Sequence, residues 1–261
     1  MNIFEALKKG DNILKKNGIK TYKLDSEILM SKVFQKNRTD IILDSNKNLS
    51  KKEIMLYNNL IKQRSKKKPI AYLIGKKEFW KYEFYVTKDV LIPRPDTEIV
   101  VEQTLKLTKN KSSLKILDIG IGSGCILLSI LKERKSFYGT GIDICKKTLD
   151  ICMVNAKKLY LNDRIRLFKS DVDNFKYGKY DLIVSNPPYI KKINLKYLER
   201  DVYDYEPKSA LDGGLDGLFK ITKVIYNSSK LLKKNGTLIL EIAFNQTDKV
   251  NKILEKNGYY I

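Results

Sequence analysis

The chain has 261 residues, of which 43% are hydrophobic, so it can form one large globular domain or two smaller ones. Its formal net charge of +21 is compatible with a partner that lies on RNA, but the 51 basic residues are spread along the whole chain and specify no partner. The sequence contains no histidine, which excludes Ser-His-Asp and Cys-His catalysis and the H-E-x-x-H zinc motif, and leaves carboxylates, amides, backbone groups or a reactive cofactor.

The first 66 residues are predicted to form a small helical bundle. Residues 1–18 alternate charged and apolar positions, unlike a secretory signal, and no apolar run approaches the ~20 residues that span a bilayer, so we expect a cytoplasmic protein with no membrane partner. Asp25 or Ser26 is expected to cap one helix. The sequence S-K-K-E at 50–53 predicts a capping box at the start of another.

A change of pattern from Pro69 onward indicates a connecting segment. Aromatic and β-branched residues occur there in short runs, and two prolines then flank Arg94. We predict a β-hairpin over 79–92 and a helix that starts at Asp96 or Thr97. The predicted domains are a helical bundle over 1–68 that docks the substrate, a connector over 69–95 and a catalytic domain over 96–261.

The rest of the chain alternates apolar strands with amphipathic helices. Strands are predicted over 114–120, 137–143, 165–171, 180–186 and 236–243. Helices are predicted over 124–134, 146–160, 216–233 and 246–256. This α/β order implies a mostly parallel sheet covered on both faces. The three cysteines, Cys125, Cys145 and Cys152, form no C-x-x-C pair and are expected to be small buried side chains, so no metal site is predicted.

A glycine-rich turn follows the first strand of this sheet. The sequence D-I-G-I-G-S-G at 118–124 permits a tight turn and close approach of a ligand to the backbone. Asp143 ends the second strand, where a carboxylate can accept hydrogen bonds from ribose hydroxyls, and Asp171 with Val172 ends the third, where they can hold an adenine. A nicotinamide dehydrogenase meets the same criteria, so the turn alone leaves the cofactor open.

The sequence S-N-P-P-Y-I at 185–190 follows the fourth strand directly. Two prolines end the strand and leave carbonyl groups without ladder partners. The segment N-P-P-Y resembles the catalytic motif of S-adenosylmethionine-dependent methyltransferases that act on planar nitrogen. The Asn186 side-chain oxygen and the Pro187 carbonyl can accept the two N–H bonds of an –NH2 group, and Tyr189 can stack on its plane.

This motif occurs in enzymes that modify adenine N6, guanine N2 or glutamine N5, so it leaves the substrate open. Three further segments, at 69–80, 91–98 and 205–218, resemble in sequence and order the HemK/PrmC family of protein-(glutamine N5) methyltransferases, which modify peptide chain release factors. The resemblance implies a class I, Rossmann-like methyltransferase fold with an N-terminal helical domain and a connecting β-hairpin. It implies transfer of a methyl group from S-adenosyl-L-methionine to the glutamine of the release factor's Gly-Gly-Gln loop, with S-adenosyl-L-homocysteine as product.

The pattern and the resemblance together name the candidate site residues. The expected cofactor-binding residues are Asp118, Gly120, Ile121, Gly122, Ser123, Gly124, Asp143, Asp171, Val172 and Asn186. The expected catalytic residues are Asn186, Pro187 and Tyr189. The expected substrate-binding residues are Asn186, Pro187, Pro188, Tyr189, Arg94, Thr97 and Glu98, and Phe79 and Trp80 are expected to help wall the pocket.

Other expectations concern partners and the end of the chain. We expect a monomer with a release factor as partner; the alternative is an amino-methyltransferase of nucleic acid, which the basic charge would also suit. A catalytically inactive RNA- or ribosome-binding protein on the same scaffold is a second alternative. The chain ends at Ile261, where members of the resembled family continue through two more strands, so we expect these C-terminal strands to be missing and the last predicted strand to be an exposed sheet edge.

Overall fold

The structure, a computed structural model, describes residues 1–261, and these divide into two compact units. The first unit comprises Met1–Gly75 together with Glu199–Tyr205, and the second comprises Lys76–Leu198 and Glu206–Ile261. No sequence pattern indicated that the short segment Glu199–Tyr205 packs with the helical unit. The predicted domain boundaries at 68 and 95 stay a prediction. None of the helices is both long enough and apolar enough to cross a membrane.

The elements are numbered in chain order. The helices are α1 (Ile3–Lys16), α2 (Tyr22–Phe34), α3 (Arg38–Leu43), α4 (Lys51–Ser65), α5 (Ile70–Ile74), α6 (Glu98–Leu107), α7 (Cys125–Glu133), α8 (Lys146–Lys158), α9 (Arg200–Tyr203), α10 (Phe219–Leu231) and α11 (Thr247–Lys256). The strands are β1 (Lys76–Phe79), β2 (Tyr82–Tyr85), β3 (Lys115–Ile119), β4 (Tyr138–Asp143), β5 (Ile165–Lys169), β6 (Tyr180–Ser185) and β7 (Leu232–Leu240).

The helix starts in the first unit were predicted with mixed success. The capping box at Ser50 is confirmed, because the Ser50 side chain accepts from the Glu53 N–H while the Glu53 carboxylate accepts from the Ser50 N–H. The prediction that Asp25 or Ser26 caps a helix is wrong, since α2 begins at Tyr22 and both residues lie buried within it. Their polar groups have tertiary partners instead, as described next.

Two buried polar pairs hold α2 against α4. The Asp25 carboxylate lies 2.6 Å from the Arg64 Nε, and Arg64 also donates to Asp201 in the segment Glu199–Tyr205. The Ser26 hydroxyl lies 2.6 Å from the Tyr57 hydroxyl. Buried polar groups need such partners, so these residues serve helix packing, which local capping rules cannot reveal.

The second unit opens with the hairpin of β1 and β2, which are antiparallel and joined through Trp80. The predicted range of 79–92 is wrong, because the hairpin starts at Lys76 and ends at Tyr85. The apolar side chains that suggested a longer second strand, such as Val86 and Val90, are buried in a loop. Apolar content there reflects packing and not strand pairing.

The five-stranded sheet has the order β5-β4-β3-β6-β7, and all four pairings are parallel. The predicted parallel sheet is therefore confirmed, although β7 starts at Leu232, four positions before the predicted 236, and α10 is shorter than predicted. The chain runs outward from β3 through β4 to β5, then returns to β6 on the other side of β3, so the strand order reverses between β3 and β6. Ligands of open α/β sheets bind at the carboxyl ends of the strands at such a point.

Both faces of the sheet are covered. On one face, Ile116 and Leu182 pack with the apolar helix α7, in which Leu127 and Ile130 are fully buried. On the other face, Leu117 and Ile183 pack with residues of α10 such as Val224 and Leu231. This alternation of side chains along β3 and β6 fixes both strands between two layers, so their carboxyl ends are rigid supports for a site.

Candidate active site

The carboxyl ends of β3, β4 and β6 open into a cleft of about 250 Å³. The predicted residues that line it are Gly120, Gly122, Asp143, Asp171, Val172, Asn186, Pro187 and Pro188. The sequence reasoning missed other lining residues, among them Asp89, Ile144, Cys145, Thr148 and Ser209. They come from the connector, from the start of α8 and from the loop after α9, which only the folded chain brings to the strand ends.

The glycine-rich turn needs glycine for two different reasons. Gly120, Gly122 and Gly124 have φ values of +76°, +56° and +82°, a region that other residues rarely adopt. A Cβ atom on Gly120 would meet nothing within 4 Å, so the backbone there faces open space in which a ligand can approach. A Cβ atom on Gly124 would lie 2.7 Å from the Cys152 Sγ, so this position needs glycine for close packing of α7 on α8.

Asp143 lies in the cleft with its carboxylate oriented by two backbone groups. One oxygen accepts from the Cys145 N–H at 3.0 Å and the other from the Gly122 N–H at 3.3 Å. Burial raises the pKa of Asp143, and these hydrogen bonds oppose the shift. A carboxylate has lone pairs beyond those two bonds, so Asp143 can still accept hydrogen bonds from a ligand in the cleft.

Asp118 lies behind the glycine-rich turn and does not line the cleft. It is 1% exposed, and neither carboxylate oxygen has a hydrogen-bond partner. The pKa of Asp118 is raised to about 7, chiefly by burial. The nearby Leu127 N–H, which does not reach hydrogen-bond geometry, opposes this rise, and the charge of Asp143 adds to it. An unpartnered buried carboxyl next to the cleft suits a ligand with cationic groups, and S-adenosylmethionine has both an amino group and a sulfonium.

Of the remaining predicted cofactor residues, two support the glycine-rich turn and two line the cleft. Ile121 is buried in the core, and the Ser123 carbonyl accepts a hydrogen bond of 2.9 Å from the Asn155 side chain, so both hold the turn without lining the cleft. Val172 is buried at the cleft wall, and Asp171 beside it accepts from the Asp173 N–H at 3.1 Å. Their roles towards the cofactor stay predictions.

The N-P-P-Y segment lies where β6 ends at Ser185. Pro187 and Pro188 have no N–H to continue the ladder, and no group of the chain donates to the Pro187 carbonyl. The next turn packs on this segment, since Gly213 donates to the Ile190 carbonyl at 2.8 Å and a Cβ atom on Gly213 would lie 2.8 Å from the Pro188 oxygen. Gly213 is thus needed as a glycine for close contact with the motif.

A hydrogen-bonded network joins the motif to two other elements. The Asn186 Nδ2 donates to the Thr97 Oγ1 at 3.1 Å, and the Thr97 hydroxyl donates to the Glu241 Oε2 at 2.6 Å. The Tyr189 hydroxyl donates to the Glu241 Oε1 at 3.2 Å. Burial and the Glu241 charge raise the pKa of Tyr189 to about 12. Sequence reasoning missed Glu241, although an acidic residue near the carboxyl end of the last predicted strand, 236–243, was a signal that could have found it.

The other predicted substrate residues have partners within their own unit. Arg94 forms an ion pair of 2.5 Å with Glu206, which also accepts from the Ile92 N–H, so Arg94 ties the connector to the loop after α9. Glu98 accepts a hydrogen bond of 2.8 Å from the Trp80 N–H and so supports the hairpin turn. Neither lines the cleft, and their roles towards the substrate stay predictions.

Phe79 and Trp80 do not wall the cleft. Phe79 is fully buried and packs edge-on against Phe84 at 6.1 Å between ring centroids. The Trp80 indole N–H donates to Glu133 at 3.1 Å. This aromatic pair therefore serves the hairpin and the core beneath it.

The parallel sheet, the glycine-rich turn, the acidic strand end at Asp143 and the N-P-P-Y segment define a class I S-adenosylmethionine-dependent methyltransferase. Residues 5–75 match the PrmC N-terminal domain, and residues 97–200 match the methyltransferase small domain. Release factor glutamine methyltransferases from Clostridium acetobutylicum and Caulobacter vibrioides are 38% and 36% identical to the chain. These alignments cover 99% and 94% of the chain, and 92% and 85% of the relatives. The chain belongs to the release factor glutamine methyltransferase family.

Two more proteins are similar to the chain, one in sequence and one in structure. The release factor glutamine methyltransferase of Buchnera aphidicola is 38% identical over 100% of this chain and 92% of its own length. The solved ribosomal protein L11 methylase of Lactobacillus delbrueckii is 19% identical, with a TM-score of 0.48 over 71% of this chain and 81% of that chain. The family assignment rests on the sequence relatives alone.

Proposed function

We propose that the protein transfers a methyl group from S-adenosyl-L-methionine to the side-chain amide nitrogen of a glutamine, the one in the Gly-Gly-Gln motif of peptide chain release factors. The observation that carries the proposal is a pair of hydrogen-bond acceptors beside the cleft. The Asn186 side chain uses its Nδ2 for Thr97, which leaves its oxygen available, and the Pro187 carbonyl has no partner within the chain.

The chemistry follows from what this acceptor pair does to a primary amide. An amide nitrogen is a poor nucleophile because its lone pair is delocalised into the carbonyl group. Two acceptors that take its two N–H bonds orient the –NH2 group and stabilise the positive charge that develops on nitrogen in the transition state. The methyl donor, when bound, supplies an already activated methyl group on a sulfonium. The nitrogen would form its bond to the methyl carbon as the S–CH3 bond breaks, S-adenosyl-L-homocysteine would leave, and the now acidic N–H proton would pass to water. No histidine or strong base is required for that proton loss, in agreement with the composition.

In this proposal the methyl donor and the glutamine contact different residues. Gly120 and Gly122 provide a backbone surface without side chains for the donor, Asp143 accepts from its ribose, and Val172 contacts its adenine. Asn186 to Tyr189 bind the glutamine, with the Tyr189 ring against the amide plane. The residues present fit the donor, since the open glycine turn lines the cleft and the unpartnered Asp118 carboxyl lies behind that turn.

We infer that the partner is a release factor and that nucleic acid is not a direct substrate. The relatives that match almost the whole chain are named for release factor glutamine methylation. We further propose that the protein is a cytoplasmic monomer that meets its partner during translation. Its basic charge of +21 then favours encounters with factors near RNA without specifying a base.

Mass spectrometry tests the proposal directly. Purified protein is incubated with labelled methyl donor and, in parallel, with a release factor or with total RNA or DNA. We expect one added methyl group on the glutamine of the Gly-Gly-Gln peptide and no label in nucleic acid. A release factor in which that glutamine is replaced by alanine is the matched control and should stay unlabelled. Label in nucleic acid alone would overturn the proposal.

A further inference from the structure

In the hydrogen-bonded network around Asn186, each group's role as donor or acceptor is fixed by the group next to it. Thr97 is 3% exposed and has one hydroxyl proton to donate. An ionised carboxylate only accepts hydrogen bonds, so the 2.6 Å contact from Thr97 to Glu241 must use that proton. The Thr97 oxygen can therefore only accept from Asn186, whose Nδ2 lies 3.1 Å away.

This order sets which end of the Asn186 amide faces Thr97. The –NH2 end is held by the Thr97 oxygen, so the carbonyl end points the other way. With the amide reversed, Thr97 would face an oxygen while its only proton is committed to Glu241, and two acceptors would oppose each other. Tyr189 donates to the second oxygen of Glu241, which holds that carboxylate from the other side.

We propose that Glu241 and Thr97 are positioning residues that lock the Asn186 amide with its oxygen presented to the substrate nitrogen. This rests on the proposed function, in which Asn186 must accept a hydrogen bond from the glutamine –NH2. A reversed Asn186 would present –NH2 to –NH2 and would repel the substrate group. Free rotation would divide the enzyme between an active and an inactive orientation. The carboxylate of Glu241 thus determines the orientation of Asn186 through one intervening hydroxyl.

The first experiment removes the hydroxyl without changing the shape. Thr97→Val keeps the branched side chain but cannot accept from Asn186, and Thr97→Ser restores a hydroxyl. We expect Thr97→Val to lower kcat on a release factor by ~10- to 100-fold, at or below the effect of removing one preorganised polar group at other active sites. The KM for the release factor and the affinity for the methyl donor should change little. Thr97→Ser should recover most of the lost kcat.

A matched control separates positioning from general damage to the helix. Thr104 is a fully buried threonine of α6 whose hydroxyl bonds only to the Val100 carbonyl of the same helix. Thr104→Val makes the same chemical change outside the network and should leave kcat unchanged. Equal losses in Thr97→Val and Thr104→Val would overturn the positioning role.

The carboxylate is tested by a double-mutant cycle. Glu241→Gln keeps the shape but can present either –NH2 or oxygen to Thr97, so the direction of the network is lost. Because Thr97 and Glu241 act on Asn186 in series, the double variant should be little slower than the slower of the two single variants. Multiplied losses in the double variant would show independent roles and would overturn the proposal.

The side-chain NMR signals of Asn186 test the network without any methyl transfer, so they separate an error in the positioning role from an error in the proposed function. In full-length protein labelled with [15N]asparagine, Asn186→Asp identifies the Asn186 side-chain –NH2 signals. Thr97→Val and Glu241→Gln should both shift these signals, while Thr104→Val should not. Unshifted signals would overturn the network even if glutamine is methylated. If shifts appear but no release factor is methylated, the proposed function is at fault and the orientation of Asn186 still stands.

Discussion

The glycine at the start of α7 offers the sharpest test of the packing behind the cleft. In Gly124→Ala, the residue must keep a φ of +82°, which costs an alanine ~1–2 kcal/mol. The new Cβ would also lie 2.7 Å from the Cys152 Sγ and 2.8 Å from the Leu128 Cδ1. Both side chains are fully buried and cannot move into solvent. Overpacking of this kind costs ~1–3 kcal/mol, so we expect a total loss of about 2–5 kcal/mol in the free energy of unfolding.

Urea unfolding followed by tryptophan fluorescence measures this loss, because the single tryptophan, Trp80, lies in the same unit as Gly124. The control is Gly258→Ala, at a residue with φ of +79° where a Cβ would meet nothing within 4 Å. That variant should lose only the backbone contribution to the free energy of unfolding, about 1–2 kcal/mol. If Gly124→Ala loses no more stability than Gly258→Ala, the close contact between α7 and α8 does not constrain this position.

Three other outcomes are expected. Asn186→Ala removes an acceptor of the substrate –NH2 and should lower kcat by ~10²–10³ with an intact fold; activity within a few-fold of wild type in a methyl-transfer assay would contradict its role. The pKa of Asp118 is raised to about 7 in the folded protein, compared with ~3.9 in the unfolded chain. Between these values the folded state holds a proton that the unfolded state has lost, so the ligand-free protein should lose up to about 4 kcal/mol of stability as the pH rises from 4 to 8. Asp118→Asn should flatten that dependence in chemical denaturation, and an equally steep curve in the variant would refute the assignment. Arg64→Met leaves the Asp25 carboxylate buried without its partner and should cost ~3–5 kcal/mol, whereas Lys36→Met, which breaks an exposed ion pair, should leave the melting curve in place.

The sequence was sufficient for the features that depend on local order along the chain. Strand and helix alternation predicted the parallel sheet, because fully buried strands must be apolar and crossovers must pass over a face. The positions of Asp143 and Asn186 at strand ends placed them at the same edge, since parallel strands end together. The capping box at Ser50 was likewise local, because all its groups lie within four residues.

Only the tertiary structure decided which residues complete the site and which merely support it. Thr97 and Glu241 lie 144 positions apart in the sequence, and no spacing rule connects a residue before α6 to one after β7. The sequence likewise did not show that the Glu98 carboxylate accepts from the Trp80 N–H in the hairpin turn, and the predicted role of Glu98 towards the substrate stays a prediction. Periodicity determines which elements form and what they bury, whereas the hydrogen-bond partner of a buried polar group depends on what the fold places within about 3 Å of it.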